Sequence, residues 1–128
     1  MCLLQPTSPL RDANDIQKAY QLFVDNSASF VGSVVEEGHS PLLSNVLPEN
    51  LSLNNFILSK NNIRRQDLPT FYRINGAIYF FRPGLLTNLD KMYSVGSYAY
   101  IMDKYHSVDI DDQLDLIIAE AVYKRMKR

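Results

Sequence analysis

Acidic side chains alternate with apolar ones near the C-terminal end of the chain, in the segment 107–115. If this segment is extended, Asp109 and Asp111 project from one face, roughly 6–7 Å apart. Two carboxylates at that separation can share a hydrated Mg²⁺, a hard cation that prefers oxygen ligands. The same acids also fit a helix start, because Asp111 or Asp112 could cap the following helix and the others would favour its positive end. This segment alone leaves a metal site and a helix cap as alternatives.

A second polar segment, Gln5–Arg11, contains two prolines and lies between a short apolar strand and a helix. A strand-to-helix turn is the usual place for a substrate loop in a doubly wound fold. The prolines would fix the loop and expose Gln5, Thr7, Ser8 and Arg11. The alternative interpretation is a rigid turn with capping hydroxyls, which sequence reasoning alone favours.

Three arginines, Arg64, Arg65 and Arg73, stand close together in the middle of the chain. The guanidinium group binds carboxylates and phosphates with two parallel hydrogen bonds, so an anionic ligand is one interpretation. A solvated face is the other. Asn75 and Gly76 follow directly, and glycine permits a close approach of the backbone, or an ordinary bend before a strand.

Helices and strands alternate around these segments. Asp12 predicts the start of a helix whose apolar stripe is Ile16, Ala19, Tyr20 and Phe23. Strands are predicted at 30–35, 77–82 and 98–102, and the order strand, helix, strand at the beginning implies a parallel crossover. A final helix from about Asp112 is predicted to bury one face formed by Leu114, Ile117, Ile118, Ala121 and Val122.

Residues 36–70 interrupt this regular pattern with prolines, asparagines and short apolar pieces. We expect an excursion of short strands and turns that packs on a partner. The chain otherwise has the size and composition of one α/β domain over residues 1–128.

Composition excludes several classes of function. A net charge of −1 gives no reason to expect a nucleic-acid partner, and no apolar run approaches the roughly 20 residues of a membrane span. One cysteine, Cys2, fits a reducing compartment, so we expect a cytoplasmic protein. His39 and His106 are distant in sequence and predict no metal pair.

Four motifs in order resemble the N-acylneuraminate cytidylyltransferases, or CMP-sialic acid synthetases, and their relatives acting on other nonulosonic acids. The motifs cover nearly the whole chain: Leu3–Arg11, Arg64–Pro69, Tyr72–Tyr79 and Ser107–Asp111. The resemblance implies a partial three-layer, Rossmann-like nucleotidyltransferase fold, with a mostly parallel sheet, helices on both faces and a protruding dimerisation arm at 36–70. It also implies a homodimer.

The family's reaction implies roles for single residues. The anomeric hydroxyl of the sugar acid attacks the α-phosphorus of CTP and pyrophosphate leaves, which requires Mg²⁺ and cationic groups. By resemblance, Asp109 and Asp111 hold the Mg²⁺. Arg73 acts at the catalytic centre and, with Gln5, Asn75 and Tyr79, lines the sugar pocket. Arg65 reaches the sugar bound by the neighbouring protomer.

The chain departs from the family at its beginning. Family members start with a glycine- and lysine-rich nucleotide loop, and nothing here matches it. The resemblance therefore implies a C-terminal portion that is inactive alone. The alternative is a non-catalytic dimerising or sugar-acid-binding module that retains the family scaffold. A nucleotidyltransferase acting on another sugar phosphate is a third, weaker interpretation.

Overall fold

The computed structural model describes residues 1–128, which form a four-stranded sheet and two α-helices. The regular elements, in chain order, are β1 (Cys2–Leu3), α1 (Ala13–Asp25), β2 (Phe30–Glu36), β3 (Tyr72–Phe81), β4 (Ser97–Ile101) and α2 (Gln113–Met126). Five short 3-10 turns lie in the segments between these elements. The alternation of strands and helices confirms the predicted α/β class.

The sheet is mixed, with strand order β1-β3-β2-β4. β1 pairs antiparallel with β3, and β2 pairs parallel with β4. Backbone hydrogen bonds from Arg82 N to Ser29 O and from Glu37 N to Phe71 O show that β2 and β3 are antiparallel too. β1 and β2 thus run in one direction, as their connection through α1 predicts, but β3 lies between them. The expectation of a mostly parallel sheet is wrong, because the long segment before β3 lets that strand enter in reverse.

Helix α1 begins where the sequence predicts, at a reciprocal cap. The Asp12 carboxylate accepts a hydrogen bond from Asp15 N at 2.8 Å, and the Asp15 carboxylate accepts one from Asp12 N at 3.1 Å. Ala19 is fully buried in the core cluster, and Ile16 and Phe23 pack against that cluster. The core itself comprises Ala19, Ala28, Val31, Ala77, Ile78, Phe80 and Met102. Tyr20 is half exposed, although its ring still contacts that of Phe80.

Helix α2 also begins where predicted, but its buried face differs. Asp112 caps the helix by accepting hydrogen bonds from Leu114 N at 2.8 Å and Asp115 N at 3.0 Å. The buried residue of the helix is Ala119, whereas Leu114, Ile117 and Ile118 are exposed. The predicted burial of that face is wrong, because periodicity identifies an apolar stripe but not whether this chain supplies its partner. Neither helix is long and apolar enough to cross a membrane.

The chain divides into two compact units, one formed by Met1–Val35 with Ile74–Arg128 and the other by Glu36–Arg73. The second unit contains three 3-10 turns: Pro41–Leu43, Ser59–Asn61 and Arg65–Asp67. The short strands predicted at 36–70 are absent, and only the last residue of β2, Glu36, falls in this range. Extended pairing is interrupted there by prolines and by left-handed backbone at Leu51 and Asn55.

Gly76 gives a first testable prediction. It lies inside β3 with a φ of +73°, and a Cβ built there would collide with the Gln5 carboxamide oxygen. We expect Gly76→Ala to lower the free energy of unfolding by about 1–2 kcal/mol, because left-handed backbone disfavours a side chain, and to displace Gln5. Urea denaturation measures the loss. Gly84→Ala is the matched control, since a Cβ there meets nothing within 4 Å; equal losses for both variants would contradict the argument.

Candidate functional site

Asp109 is the half-buried acid of the predicted metal pair. Its Oδ1 atom is shielded from solvent and has no hydrogen-bond partner. One residue later, Ile110 N donates a hydrogen bond of 2.9 Å to Thr7 O, which ties this segment to the turn after β1. A buried carboxylate oxygen without a partner lowers the stability of the fold. Asp109 therefore carries an acceptor oxygen that the fold leaves unpaired, at a cost to folding.

Asp111, the second acid of the pair, is exposed. Its backbone N–H donates to the Asp115 carboxylate at 3.0 Å, as does Asp112 N–H at 3.2 Å. Asp112 and Asp115 together form the reciprocal cap of α2. The capping alternative thus applies to Asp112 and not to Asp109 or Asp111. The oxygen-only donor set of Asp109 and Asp111, with one unpaired buried oxygen, fits Mg²⁺.

Asn75, predicted to line the sugar pocket, is buried and hydrogen-bonded to the protein. Its Oδ1 accepts from Ser33 Oγ at 2.5 Å and from Ala77 N at 3.1 Å. Its Nδ2 donates to Ser107 Oγ at 3.0 Å, and Met102 Sδ lies 3.4 Å away. The amide has no free hydrogen-bonding group for a ligand in this arrangement, and its role toward the sugar stays a prediction.

Gln5 lies in the turn after β1, and its carboxamide packs against Gly76 of β3. The turn is held by Arg11, whose Nη1 donates to Gln5 O at 2.5 Å, Ser8 O at 3.0 Å and Ala77 O at 3.2 Å. Ser8 is buried rather than exposed, contrary to expectation. Arg11 and Ser8 therefore shape the loop instead of lining it.

Tyr79 of β3 pairs with Leu3 of β1 and stacks on Phe30, with ring centroids 5.8 Å apart. Burial raises the pKa of its phenol, and Tyr93 and the negative charge of Asp109 raise it further. The phenol therefore stays protonated, as a hydrogen-bond donor, at neutral pH.

The predicted arginines, Arg65 and Arg73, belong to the second unit. Arg73 Nε lies 3.5 Å from a Glu37 carboxylate oxygen, in a pair that is about half exposed. Arg65 contributes to a polar cavity of about 280 Å³ lined by Glu36, Glu37, Ser40, Gln66, Leu68, Pro69, Thr70 and Phe71. Both guanidinium groups are thus accessible to an anion.

Sequence reasoning missed a buried polar cluster around Asp15. Its carboxylate contacts His106 Nδ1 at 2.6 Å and accepts from Tyr100 OH at 3.0 Å. Ligand atoms of Asp12, Asp15 and His106 lie within 4.8 Å of one another, but these hydrogen bonds already account for the arrangement. No sequence signal could pair residues that are 91 positions apart, as Asp15 and His106 are.

Comparison with known proteins identifies the relatives of this chain. No family model matches it. It is 28% identical over 94% of its length to post-translational flagellin modification protein B of Campylobacter coli. It is 32% identical over 98% of its length to the N-acylneuraminate cytidylyltransferase of Escherichia coli O18:K1:H7. It is 28% identical over 97% of its length to a pseudaminic acid cytidylyltransferase of Campylobacter jejuni.

The matches cover only part of these relatives. The chain spans 51% of the flagellin modification protein, 53% of the pseudaminic acid enzyme and 30% of the E. coli enzyme. Identities of 27–34% over at least 90% of this chain recur in further N-acylneuraminate and pseudaminic acid cytidylyltransferases. The chain is thus a homologue of the N-acylneuraminate and pseudaminic acid cytidylyltransferases and spans about a third to a half of their length.

Proposed function

We propose that this chain forms the sugar-acid and metal side of a cytidylyltransferase that transfers CMP from CTP to a nonulosonic acid, and that it does not turn over CTP alone. The observation that carries the proposal is the unpaired, buried Oδ1 of Asp109. It lies in the segment where the family resemblance expects metal-binding carboxylates. The names of the homologues support the substrate class, an N-acylneuraminate or pseudaminic acid.

Asp109 and Asp111 would hold Mg²⁺ by their carboxylates. Bound there, Mg²⁺ would neutralise negative charge that develops as CTP reacts. Gln5 and Tyr79 offer neutral hydrogen-bonding groups to the hydroxyls of the sugar, and the pKa of Tyr79 keeps its donor proton in place. Arg73 would form an ion pair with the sugar carboxylate, and its exposed contact with Glu37 would be broken.

The wider architecture is part of the proposal. Residues 36–70 would form a dimerisation arm, and Arg65 would reach the sugar bound by a second protomer. The mixed sheet would be the C-terminal part of a three-layer fold in a cytoplasmic homodimer. The exposed apolar stripe of α2, which includes Leu114, Ile117 and Ile118, would be available to pack in such an assembly.

Inactivity of the isolated chain is testable by direct assay. We expect no pyrophosphate release when the purified chain is mixed with CTP, Mg²⁺ and a panel of nonulosonic acids, because no glycine- and lysine-rich nucleotide loop is present in its sequence. A full-length homologue under the same conditions is the positive control. Robust release that depends on Asp109 would show that the chain is a complete enzyme.

Sugar-acid binding distinguishes this proposal from an inert remnant. Isothermal titration calorimetry with N-acetylneuraminate and with a pseudaminic acid should show binding that Arg73→Ala weakens and Arg64→Ala does not. Arg64 is the matched control because it is another exposed arginine of the second unit, paired with Asp67 at 3.0 Å. Binding of sugar without any binding of Mg²⁺ would favour the non-catalytic module instead.

A further inference from the structure

Three polar side chains from distant parts of the chain meet inside the first unit. Ser33 of β2, Asn75 of β3 and Ser107 of the loop before α2 are 0%, 3% and 4% exposed. Hydrogen bonds join them in series, at 2.5 Å from Ser33 to Asn75 and at 3.0 Å from Asn75 to Ser107. We name them the Ser33–Asn75–Ser107 network.

Every polar side-chain atom of this network has a hydrogen-bond partner within the protein. Ser33 Oγ accepts from Ile78 N at 2.8 Å, and Asn75 Oδ1 also accepts from Ala77 N. Ser107 Oγ donates to Asp103 O at 2.6 Å. Buried polar networks that are fully satisfied fix the groups they join, whereas partly satisfied ones cost free energy. The network therefore links β2 and β3 rigidly to the loop before α2.

The loop held by this link carries Asp109. Ser107 fixes its beginning, two residues before Asp109, and the hydrogen bond from Ile110 N to Thr7 O fixes its end, one residue after. Asp109 is thus clamped between two anchors while its own Oδ1 remains without a partner. The two anchors hold the Asp109 carboxylate in a fixed orientation. Without them, its unpaired oxygen would turn toward water.

We propose that Ser33, Asn75 and Ser107 are positioning residues for the Asp109 carboxylate, and that Asn75 acts on it through Ser107. The inference rests on the metal role proposed for Asp109. Some residues orient a metal ligand without contacting the metal themselves. Removing such a residue typically lowers metal affinity by about 10–100-fold. Ser107→Ala should therefore weaken metal binding although its side chain is no ligand.

The test uses Mn²⁺ as a paramagnetic substitute for Mg²⁺, titrated into the whole chain and followed by electron paramagnetic resonance. We expect Ser107→Ala to weaken Mn²⁺ binding about tenfold, at a temperature where all variants are folded. Hydrogen–deuterium exchange without metal should show lost protection confined to residues 103–110. Ser97→Ala is the matched control, because Ser97 Oγ donates to Met92 O at 2.5 Å, another hydroxyl-to-carbonyl bond outside this loop. It should leave both readouts unchanged.

Ser33→Ala provides a second variant at the far end of the chain of hydrogen bonds, should Ser107→Ala fail to fold. It should weaken Mn²⁺ binding in the same direction by a smaller factor. Equal Mn²⁺ affinity in wild type and in the folded variants would overturn the positioning role while leaving the metal role of Asp109 intact. Absence of Asp109-dependent Mn²⁺ binding in the wild type would instead overturn the metal role and, with it, the positioning role.

Discussion

Asp109→Asn is expected to abolish Mn²⁺ binding by this chain and, at the same time, not to lower its stability. The carboxylate is half-buried and its Oδ1 has no hydrogen-bond partner, so the folded state carries an uncompensated cost of desolvation. An amide of the same shape removes the charge and reduces that cost. We expect the free energy of unfolding to stay constant or rise by about 1 kcal/mol. Electron paramagnetic resonance and urea denaturation of the same preparation measure the two effects.

Asp103→Asn is the control for this experiment. Asp103 is an exposed acid of the same loop whose carboxylate accepts a hydrogen bond from Tyr105 N at 2.7 Å, and an amide oxygen can replace it there. Its substitution should change neither metal binding nor stability appreciably. If Asp109→Asn instead destabilised the chain and left Mn²⁺ binding intact, Asp109 would be a structural residue and the proposed metal site would be wrong.

Local features of the fold were predictable from the sequence. The starts of α1 and α2 follow from Asp12 and Asp112, because an N-cap depends on a side chain and the backbone two or three residues away. The strands at 30–36 and 97–101 follow from runs of β-branched and aromatic residues. The motif at 107–111 drew attention to Asp109, whose Oδ1 is unpaired, but its role as a metal ligand stays a prediction.

Features that depend on distant residues were not predictable. The insertion of β3 between β1 and β2 depends on pairing across a long segment. The burial of Asn75 depends on Ser33 and Ser107, which are 42 and 32 positions away. Asn75, which its motif assigns to the sugar pocket, therefore makes its hydrogen bonds within the protein. Those partners are known only once the sheet is assembled.

Asp15→Ala should cause the largest loss of stability among the polar substitutions considered. It removes the acceptor of Tyr100 OH and the partner of His106 Nδ1, both in a cluster where Asp15 is 4% exposed. Each buried group left unpaired costs about 1–3 kcal/mol, so we expect a loss of about 3 kcal/mol or more in the free energy of unfolding. Asp25→Ala is the control, since Asp25 also lies on α1 but is exposed and bonds only Gln21 at 2.6 Å. That variant should lose less than about 0.5 kcal/mol.

The same cluster makes stability depend on pH in a direction that can be checked. Burial raises the pKa of Tyr100 above its ordinary value of 10.0, and its hydrogen bond to Asp15 raises it further. A phenol that holds its proton more tightly when folded contributes stability that is complete below about pH 10 and lost as the pH rises beyond it. Urea denaturation at about pH 8 and about pH 11 should therefore show a steeper decline for wild type than for Tyr100→Phe. Parallel declines would mean that Tyr100 is not coupled to Asp15, and the loss predicted for Asp15→Ala would then shrink accordingly.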